Sequence, residues 1–506
     1  MAQGAPPPQT RGSRILGTEG LVWGLVFLAL FAMAARVPLD PDMWWHLAAG
    51  RAMAEGRQVL RADIFSHTVT GKPWTDVYWL AQIAMYGLYR LGGLAALMVA
   101  TALSVVLAFV PLARVLRGSL FVRAFVLVLV AVASAVTWVP RPQMVTFAFL
   151  SLTLWLLDRH RRDPQSRAHW ALVPLFALWA NAHGGFPAGI ILITCTLAGD
   201  ALERALGWAT AEALSWRRMG GLALAGLLGL AATCLNPHTY RVLLLPFQTV
   251  RMEALQHLIQ EWASPDFHQP WVWPFLALLL ATALAWALSP RRPALRDLLA
   301  VSAFAYMAFL GGRNISLAAL VMAPTLAEHG SLVLERLRQA PRLSALWAKA
   351  TPASPPPARP ALNAAVLAVA LLAAVGKAAY VASVTEDALR QTYPVDALAF
   401  IRAARPPREM FNPYNWGGFC LWELYPDYPV FVDGRTDLYD DPFLREVLQV
   451  AWAQPGWQAV LERYRVRFAL VEAGSLLDLW LREEAGWTEA YRDGVAAVWV
   501  RQGGGP

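Results

Sequence analysis

Charged residues are scarce in this chain. They make up 15% of its 506 residues, whereas 57% of the residues are hydrophobic. Soluble domains typically carry about 25% charged residues. This composition excludes a series of ordinary soluble domains and predicts a membrane protein. The net charge of +8 is then expected to report the orientation of the chain in the bilayer, and it does not indicate a nucleic-acid partner.

Cysteine is scarce as well. The chain has three cysteines: Cys195 and Cys234 lie in apolar runs, and Cys420 stands alone near the C-terminus. Their spacing fits neither a disulfide framework nor a zinc site. The cysteines therefore give no argument for redox or metal chemistry.

Long apolar runs are abundant. A run of about 17 to 25 apolar residues is long enough to cross a bilayer. Eleven candidate segments lie near residues 19–37, 94–113, 120–138, 143–157, 169–182, 186–206, 219–235, 272–289, 295–311, 314–330 and 361–384. The sequence therefore predicts an α-helical polytopic membrane protein with about eleven transmembrane helices.

Basic residues alternate between the two ends of these segments. They are frequent within 11–14, 114–123, 159–167, 204–218, 291–296 and 336–359. The short connections at the other ends carry only Arg141, Arg241, Arg251 and Arg313. The positive-inside rule places the N-terminus in the cytoplasm, and an odd number of crossings places the C-terminus outside. In a second interpretation, Arg11, Arg14 and the first run form a cleavable secretory signal, which also leaves residue 38 onward outside.

The domain organisation follows from these segments. Residues 1–384 form the predicted transmembrane domain, in which 38–93 is a first external loop and the Pro-rich stretch 351–361 is a cytoplasmic linker. Residues 385–506 are more polar, and "PVFVDGR" and "RFALVEA" in this region are typical of short strands. We therefore expect a small extracytoplasmic α/β domain at the C-terminus.

The first external loop contains two helical patterns. In "DMWWHLAAGRAMAEG", Asp42 is the predicted N-cap and Gly56 the predicted stop. Trp44 and Trp45 suit the membrane–water boundary, where amphipathic aromatic rings are favoured. The stretch "GKPWTDVYWLAQIAMYGLYR" predicts a second helix of this kind. The two helices would form an interfacial platform.

Unusual polar residues concentrate on the predicted outer side. The cytoplasmic connections, by contrast, are rich in arginine and otherwise unremarkable in pattern, and ionisable residues are almost absent at mid-depth of the predicted spans. The outer groups that we expect to bind substrate or act on it are Asp40, Asp42, His46, Asp63, His67, Asp76, Arg141, Asn181, His183, Glu261, Arg313 and Asn314. This distribution predicts a site at the outer membrane surface and argues against an ion-coupled pump.

The acidic residues have a structural and a chemical interpretation. Asp40 and Asp42 are either a helix cap and a solvated loop residue, or a general base and a group that orients the substrate. Glu261 is either a loop carboxylate or a substrate contact. Together the three side chains could also supply oxygen ligands to Mg²⁺ or Mn²⁺, although their spacing does not require a metal.

The basic residues also have two interpretations. His46 and His67 either form interfacial hydrogen bonds or take part in phosphate binding or acid–base catalysis. His183 is either a polar cap at a helix end or part of a site, next to glycines that permit close backbone approach. Arg141 and Arg313 either extend to the membrane surface or clamp a phosphate, which suits the guanidinium fork.

The C-terminal region offers three further candidates. Trp416 lies in "NPYNWGGF", and Asp433 and Arg435 follow the predicted strand in "VFVDGRTDLY". Loops at strand ends often carry function, so these residues either bind an acceptor or form an ion pair that holds the domain together.

This arrangement resembles the GT-C superfamily of membrane glycosyltransferases, which begin with a span, an external acidic pair and interfacial helices. The stretches "DPDMWWHLAAGR", "DIFSHTVTGKPW", "WANAHGGF", "EWASPDF" and "NPYNWGGFCLWELYPDYPVFVDGRTDLY" more closely resemble a group of uncharacterised bacterial multispanning proteins described as glycosyltransferase-like. The sequence lacks the "WWDYG"-type motif of the oligosaccharyltransferases. Transfer to asparagine in a peptide is therefore not expected.

The resemblance implies transfer of a sugar from a polyprenyl-phosphate donor to an acceptor outside the bacterial inner membrane. It implies that Asp42 or Asp40 is the catalytic carboxylate and that Arg141 and Arg313 meet the carrier phosphate. Members of the superfamily differ in whether they use a divalent metal. Two other functions stay open: a non-catalytic membrane scaffold or lipid-binding envelope protein, and a transporter or flippase for lipid-linked sugar.

Overall fold

The computed structural model describes residues 16–250, 260–340 and 359–502. Arg11, Arg14 and Arg251 lie outside the described residues. Positions 351–358 of the predicted linker also lie outside them. Because the first 15 residues are not described, the alternative of a cleaved N-terminal signal stays a prediction.

Each of the eleven predicted membrane segments coincides with a helix. These helices are α1 (Thr18–Ala34), the second part of α3 (Trp79–Val115), α4 (Leu120–Ser134), α5 (Gln143–Arg162), α6 (Leu172–Ala182), α7 (Pro187–Ala205), α8 (Trp216–Ala232), α10 (Trp273–Leu288), α11 (Leu295–Leu310), α12 (Ile315–Gln339) and α13 (Pro360–Thr392). A further short helix, α9 (Arg241–Val250), lies between α8 and α10. The helical architecture predicted for this region is confirmed.

Five helical segments of the described chain are long and apolar enough to cross a membrane. They are Trp79–Val115, Leu120–Thr137, Pro270–Leu288, Gly312–Gln339 and Pro360–Thr392, and α1 is a shorter apolar helix. The chain therefore has the helices of a multi-pass membrane protein. The count of eleven spans stays a prediction.

The first external loop begins with α2 (Pro41–Gly56). Asp40, and not Asp42 as predicted, is its N-cap: Oδ1 of Asp40 accepts hydrogen bonds from the backbone N–H groups of Asp42 and Met43, at 3.0 and 3.2 Å. The reason is Pro41, whose fixed φ and missing N–H suit the first helical position. Gly56 ends the helix as predicted, and Arg57 follows in the left-handed region.

The second helix of the loop is confirmed as the first part of α3. The helix is interrupted at Gly92 and Gly93, where φ of Gly93 is +59°. Glycine adopts positive φ without steric cost. The break separates residues 79–91 from the apolar segment that is predicted to span the membrane. The two parts of α3 thus join the first loop to the helix bundle.

The C-terminal region forms a small mixed α/β unit. Its helices are α14 (Val395–Ala404), α15 (Tyr414–Leu424), α16 (Asp441–Ala451), α17 (Trp457–Arg463) and α18 (Leu476–Glu483); its strands are β1 (Met410–Phe411), β2 (Phe468–Glu472), β3 (Trp487–Arg492) and β4 (Ala496–Arg501). The sheet order is β1-β2-β4-β3, with β1 parallel to β2 and the other pairs antiparallel.

Of the two predicted strands, only "RFALVEA" is confirmed, as β2. The prediction for "PVFVDGR" is wrong, because this stretch pairs with the first external loop and not with the sheet. The N–H of Val430 donates to the carbonyl of Phe65 at 3.0 Å, and the N–H of His67 donates to the carbonyl of Val430 at 3.1 Å.

The first loop and the C-terminal unit share one hydrophobic core. Trp44 is 2% exposed and packs edge-on against Phe419, with ring centroids 4.9 Å apart. A Cβ on Gly418 would come within 2.8 Å of the carbonyl oxygen of Pro41, so α15 approaches α2 closely. The prediction that Trp44 and Trp45 face the lipid boundary is therefore wrong: both are buried against protein.

Candidate active site

A cavity of about 770 Å³ lies where three parts of the chain meet. The start of α2 supplies one wall, short connections between membrane helices supply the second, and the C-terminal unit supplies the third. Its polar lining includes Asp40, Asp42, His46, Tyr78, Gln143, Arg141, His183, Glu261, Arg313, Tyr414, Asn415, Thr436 and Asp437. Five of the residues predicted to bind substrate, and both predicted catalytic aspartates, thus line one space.

Local structure sets the position of the charged side chains. Glu261 lies in a 3-10 turn (Gln260–Trp262), and Arg313 lies in another (Gly312–Asn314). The N–H of Gly312 donates to the carbonyl of Ala263 at 3.0 Å, which joins the two turns. The guanidinium of Arg313 also lies over the ring of Trp262, 4.2 Å from its centroid.

Arg141 is shared by three carboxylates. Its Nε donates to Oδ1 of Asp40. Its Nη1 lies 2.8 Å from Oδ2 of Asp42 and 3.2 Å from Oε2 of Glu261. Arg313 makes a longer contact, with Nη1 at 3.9 Å from Oε1 of Glu261. Charge-assisted hydrogen bonds of this kind fix the orientation of the carboxylates.

The carboxyl groups have different proton affinities. Burial raises the pKa of Asp42 to about 7, and the positive charge of Arg141 only partly opposes this effect. Burial also acts on Glu261, but Arg141 and Arg313 outweigh it and lower the pKa of that carboxyl. Near neutral pH, Glu261 is therefore an anion, whereas Asp42 can exchange a proton, as a general base must.

The two histidines of the cavity are neutral. Burial lowers the pKa of His46, and burial together with the charge of Arg313 lowers the pKa of His183 to about 3. Nδ1 of His183 lies 2.7 Å from Oγ1 of Thr146 and accepts the N–H of Gly185 at 3.0 Å. This pattern leaves Nε2 of His183 as the protonated donor, without a net charge to offer an anion.

Asp63, Asp433 and Arg435 do not line the cavity. They form a fully buried ion network, in which Arg435 reaches Asp63 and Asp433 at 2.6 Å each. This arrangement corresponds to the structural interpretation of the Asp–Arg pair. It joins the first loop to the C-terminal unit behind the cavity.

Five other candidates also lie outside the cavity lining and make structural hydrogen bonds. Nε2 of His67 bonds to Met410 O, Asp76 accepts from Tyr78 N–H, Asn181 accepts from Trp79 Nε1–H, Asn314 donates to Met307 O, and Trp416 donates to Thr392 O. These contacts anchor the loops and helix ends around the cavity.

Sequence reasoning missed the lining from the C-terminal unit. Tyr414, Asn415, Thr436 and Asp437 all face the cavity. Burial raises the pKa of Asp437 to about 6, and its Oδ2 accepts a hydrogen bond from Trp74 Nε1 at 3.1 Å. Asp437 belongs to the same quoted stretch as Asp433, but nothing in the local pattern distinguishes the two.

The carboxylates do not fit a divalent metal. Asp40, Asp42 and Glu261 surround the guanidinium of Arg141, which occupies the position between them. Within residues 16–250, 260–340 and 359–502, no group of three or more His, Cys, Asp or Glu side chains is arranged to hold a metal ion. The positive charge at this point is supplied by Arg141.

No protein-family model matches the chain, and no curated protein matches it. The fold, in contrast, is found among solved structures. The chain has the fold of the GT-C membrane glycosyltransferases.

Three solved structures illustrate the similarity. The oligosaccharyltransferase AglB from Archaeoglobus fulgidus, in complex with an inhibitory peptide and a dolichol-phosphate, is 13% identical with a TM-score of 0.53 over 95% of this chain and 74% of that chain. ArnT from Cupriavidus metallidurans, bound to undecaprenyl phosphate, is 15% identical with a TM-score of 0.51 over 95% and 98%. The arabinofuranosyltransferase AftD from Mycobacteria is 16% identical with a TM-score of 0.51 over 96% of this chain and 40% of that chain.

Proposed function

We propose that this protein is an integral membrane glycosyltransferase that moves a sugar from a polyprenyl-phosphate donor to an acceptor at the extracytoplasmic face of a bacterial inner membrane. The observation that carries the proposal is the cavity in which Asp42 lies 2.8 Å from Arg141, between the helix bundle and the C-terminal unit. The GT-C fold supports it, as do the dolichol-phosphate bound to AglB and the undecaprenyl phosphate bound to ArnT.

Arg313 is the better partner for the donor phosphate. Among the described residues, Arg141 already contacts three carboxylates, whereas Arg313 contacts one, at 3.9 Å. Stacking on Trp262 holds the Arg313 guanidinium in place. A phosphate that enters beside Arg313 gains a planar, charged donor at a small cost in existing contacts.

Asp42 is the proposed general base. The acceptor hydroxyl or amine attacks the anomeric carbon of the donor, its proton passes to Asp42, and the bond from the sugar to the phosphate oxygen breaks. The polyprenyl phosphate leaves with the bonding electron pair. The protein supplies orientation, a proton acceptor and charge stabilisation. Asp40 is a positioning residue, because it caps α2 and binds Arg141.

The proposal is tested on purified protein in lipid nanodiscs. Undecaprenyl phosphate binding and sugar transfer from a panel of polyprenyl-phosphate sugars are measured for wild type, Asp42→Asn and Asp40→Asn, with the exposed Asp427→Asn as control. We expect Asp42→Asn to keep donor binding and to lose transfer by about 100-fold or more, the usual contribution of a general base. We expect Asp40→Asn to lose less, because asparagine also caps helices.

Transfer at the wild-type rate by Asp42→Asn would rule out its role as base. The scaffold alternative predicts that both aspartates bind backbone amides. Asp40 does so, whereas Asp42 faces the cavity and contacts Arg141, which favours the enzyme. If wild type neither binds undecaprenyl phosphate nor transfers any sugar of the panel, the scaffold becomes the better explanation.

A further inference from the structure

A second cavity of about 330 Å³ lies within the C-terminal unit. Its walls are the inner face of α16, the carboxyl ends of β1 and β2 and the start of α18. Ligands often bind in the crevice at the carboxyl ends of neighbouring parallel strands, and β1 and β2 are the parallel pair of this sheet. We call this cavity the α16 groove.

The α16 groove borders the candidate active site. Tyr414, Asn415 and Thr436 line both spaces. A molecule that fills the groove therefore has a polar path of side-chain hydroxyl and amide groups toward the cavity that holds Asp42. Arg313, the proposed partner of the donor phosphate, does not line the groove.

The groove is lined mainly by aliphatic side chains. Leu444, Val447, Leu448, Val471 and Leu477 form its floor and walls. Of the described residues that line it, only Glu472 carries a charge. A site of this volume and composition suits the apolar portion of a ligand.

The mouth of the groove is also apolar. Trp452 and Leu476 line it and are 53% and 55% exposed. On the same face of α18, Leu479 and Trp480 are also about half exposed, at 49% and 54%. Exposed apolar patches of this kind mark sites where apolar molecules bind.

We propose that the α16 groove binds the hydrocarbon portion of an amphiphilic, lipid-type acceptor, whose hydroxyl or amine reaches Asp42 past Tyr414 and Thr436. This inference rests on the proposed function and names the class of its second substrate. The donor enters beside Arg313, and the acceptor enters from the wall that the C-terminal unit supplies, so the two meet at Asp42.

A peptide acceptor fits the groove less well. Extended peptides commonly bind by adding a strand to an exposed sheet edge. The edge strand at this groove, β1, has only two residues, which are 0% and 1% exposed. A hydrocarbon chain needs no hydrogen-bond partners from the backbone, and the aliphatic lining offers it apolar contacts.

The test uses the full chain in nanodiscs and a defined probe, an octyl glycoside that carries a diazirine in its alkyl chain. Photolabelled residues are mapped by mass spectrometry in wild type and in two blocking variants. Ala451→Trp fills the groove, and Leu476→Glu places a charge at its exposed mouth. The matched controls are Ala459→Trp and Ala459→Glu, at an exposed position of α17 that does not line the groove.

We expect labels within 444–452 and 471–477, reduced about tenfold or more by either blocking variant, since overfilled or charged apolar sites bind poorly. The controls should label as wild type does. Undecaprenyl phosphate binding should be unchanged in all four variants, which also shows that they are folded. Labels elsewhere, or labels that both blocking variants retain, would overturn the inference.

Two further outcomes separate this inference from the proposed function. Normal donor binding and transfer with an unlabelled groove would overturn the inference alone. A labelled groove in a protein that does not bind undecaprenyl phosphate would overturn the acceptor assignment together with the proposed function. Labelling by an apolar photoreactive peptide but not by the octyl glycoside would overturn the lipid assignment in favour of a polypeptide.

Discussion

At the scale of single residues, the guanidinium of Arg141 takes the place that a cation would occupy among Asp40, Asp42 and Glu261. We therefore expect sugar transfer to be unchanged by EDTA and by added Mg²⁺ or Mn²⁺. Arg141→Lys should lower transfer, because an ammonium group cannot match the fork geometry that binds several carboxylates. Initial rates in each condition check this prediction. Loss of transfer in EDTA, with recovery on addition of Mg²⁺, would contradict it.

The proton affinity of Asp42 gives a prediction about pH. Its pKa is raised to about 7, and Glu261 is one of the charges that raise it. Because the base acts only when deprotonated, transfer should rise with pH through about 7. Glu261→Gln removes a neighbouring negative charge, so the rise should move to lower pH. Rate profiles between pH 5 and 9 measure the shift, with Asp427→Asn as the control that keeps the wild-type profile.

Asp76 gives a prediction about stability. It is fully buried, and burial raises its pKa to about 8, whereas an unfolded Asp titrates near 3.9. The folded state therefore holds a proton that the unfolded state loses, so Asp76 makes stability fall as pH rises from about 4 to about 8. Asp76→Asn should reduce this decline.

Thermal unfolding in detergent at several pH values tests the effect of Asp76. The exposed Asp427→Asn should show the same pH dependence as wild type. An equal decline in Asp76→Asn and wild type would show that Asp76 is ionised in the folded protein or does not control stability.

At the scale of secondary-structure elements, the crossing of α2 and α3 positions the end of α2 that lines the cavity. A Cβ on Gly50 would collide with the backbone carbonyl of Gln82, whereas a Cβ on Gly87, one turn further along α3, would meet no atom within 4 Å. Gly50→Ala should therefore push the helices apart and destabilise the protein by about 1 to 3 kcal/mol, as overpacking does. Gly87→Ala is the control, and melting temperatures with transfer rates compare the two. Equal behaviour of the two variants would contradict the close crossing.

The elements were predictable where their cause is local. Apolar runs indicated eleven helices of the membrane part but not the short helix α9, and Gly56 indicated the end of α2. Prediction failed where the hydrogen-bond partner is distant in the sequence, or where the preference of proline for the first helical position decided the N-cap. Because Pro41 occupies the first helical position, the N-cap is Asp40 and not the predicted Asp42. The stretch around Val430 forms hydrogen bonds with Phe65, which lies far away in the sequence.

At the scale of the whole molecule, the candidate site also has features that the local sequence predicts and features that depend on distant residues. The concentration of polar residues on one side of the membrane segments was visible in the sequence. The contact between Arg141 and Asp40 joins residues 101 positions apart, and the approach of Asp437 depends on how the C-terminal unit docks. No local pattern encodes these distances, so sequence reasoning proposed some residues, such as Asp63 and Asn181, that lie outside the cavity lining.

Orientation in the membrane is also a property of the whole molecule. We expect Ala459→Cys, exposed on α17, to react with a membrane-impermeant maleimide in intact spheroplasts. Gln339→Cys, at the end of α12, should react only after the membrane is permeabilised. The expectation follows from the distribution of basic residues. The reverse pattern of labelling would invert the topology and place the cavity in the cytoplasm.

The core shared by the first loop and the C-terminal unit has a consequence for biosynthesis. Asp63 and Arg435, paired and fully buried, are 372 residues apart. At about 5 to 20 residues per second, the ribosome needs roughly 20 to 75 s to make the intervening chain. During that time Trp44 lacks its contact with Phe419, and Asp63 lacks its partner Arg435. The shared core, and with it the cavity that both parts line, can therefore form only after the C-terminal unit has been made.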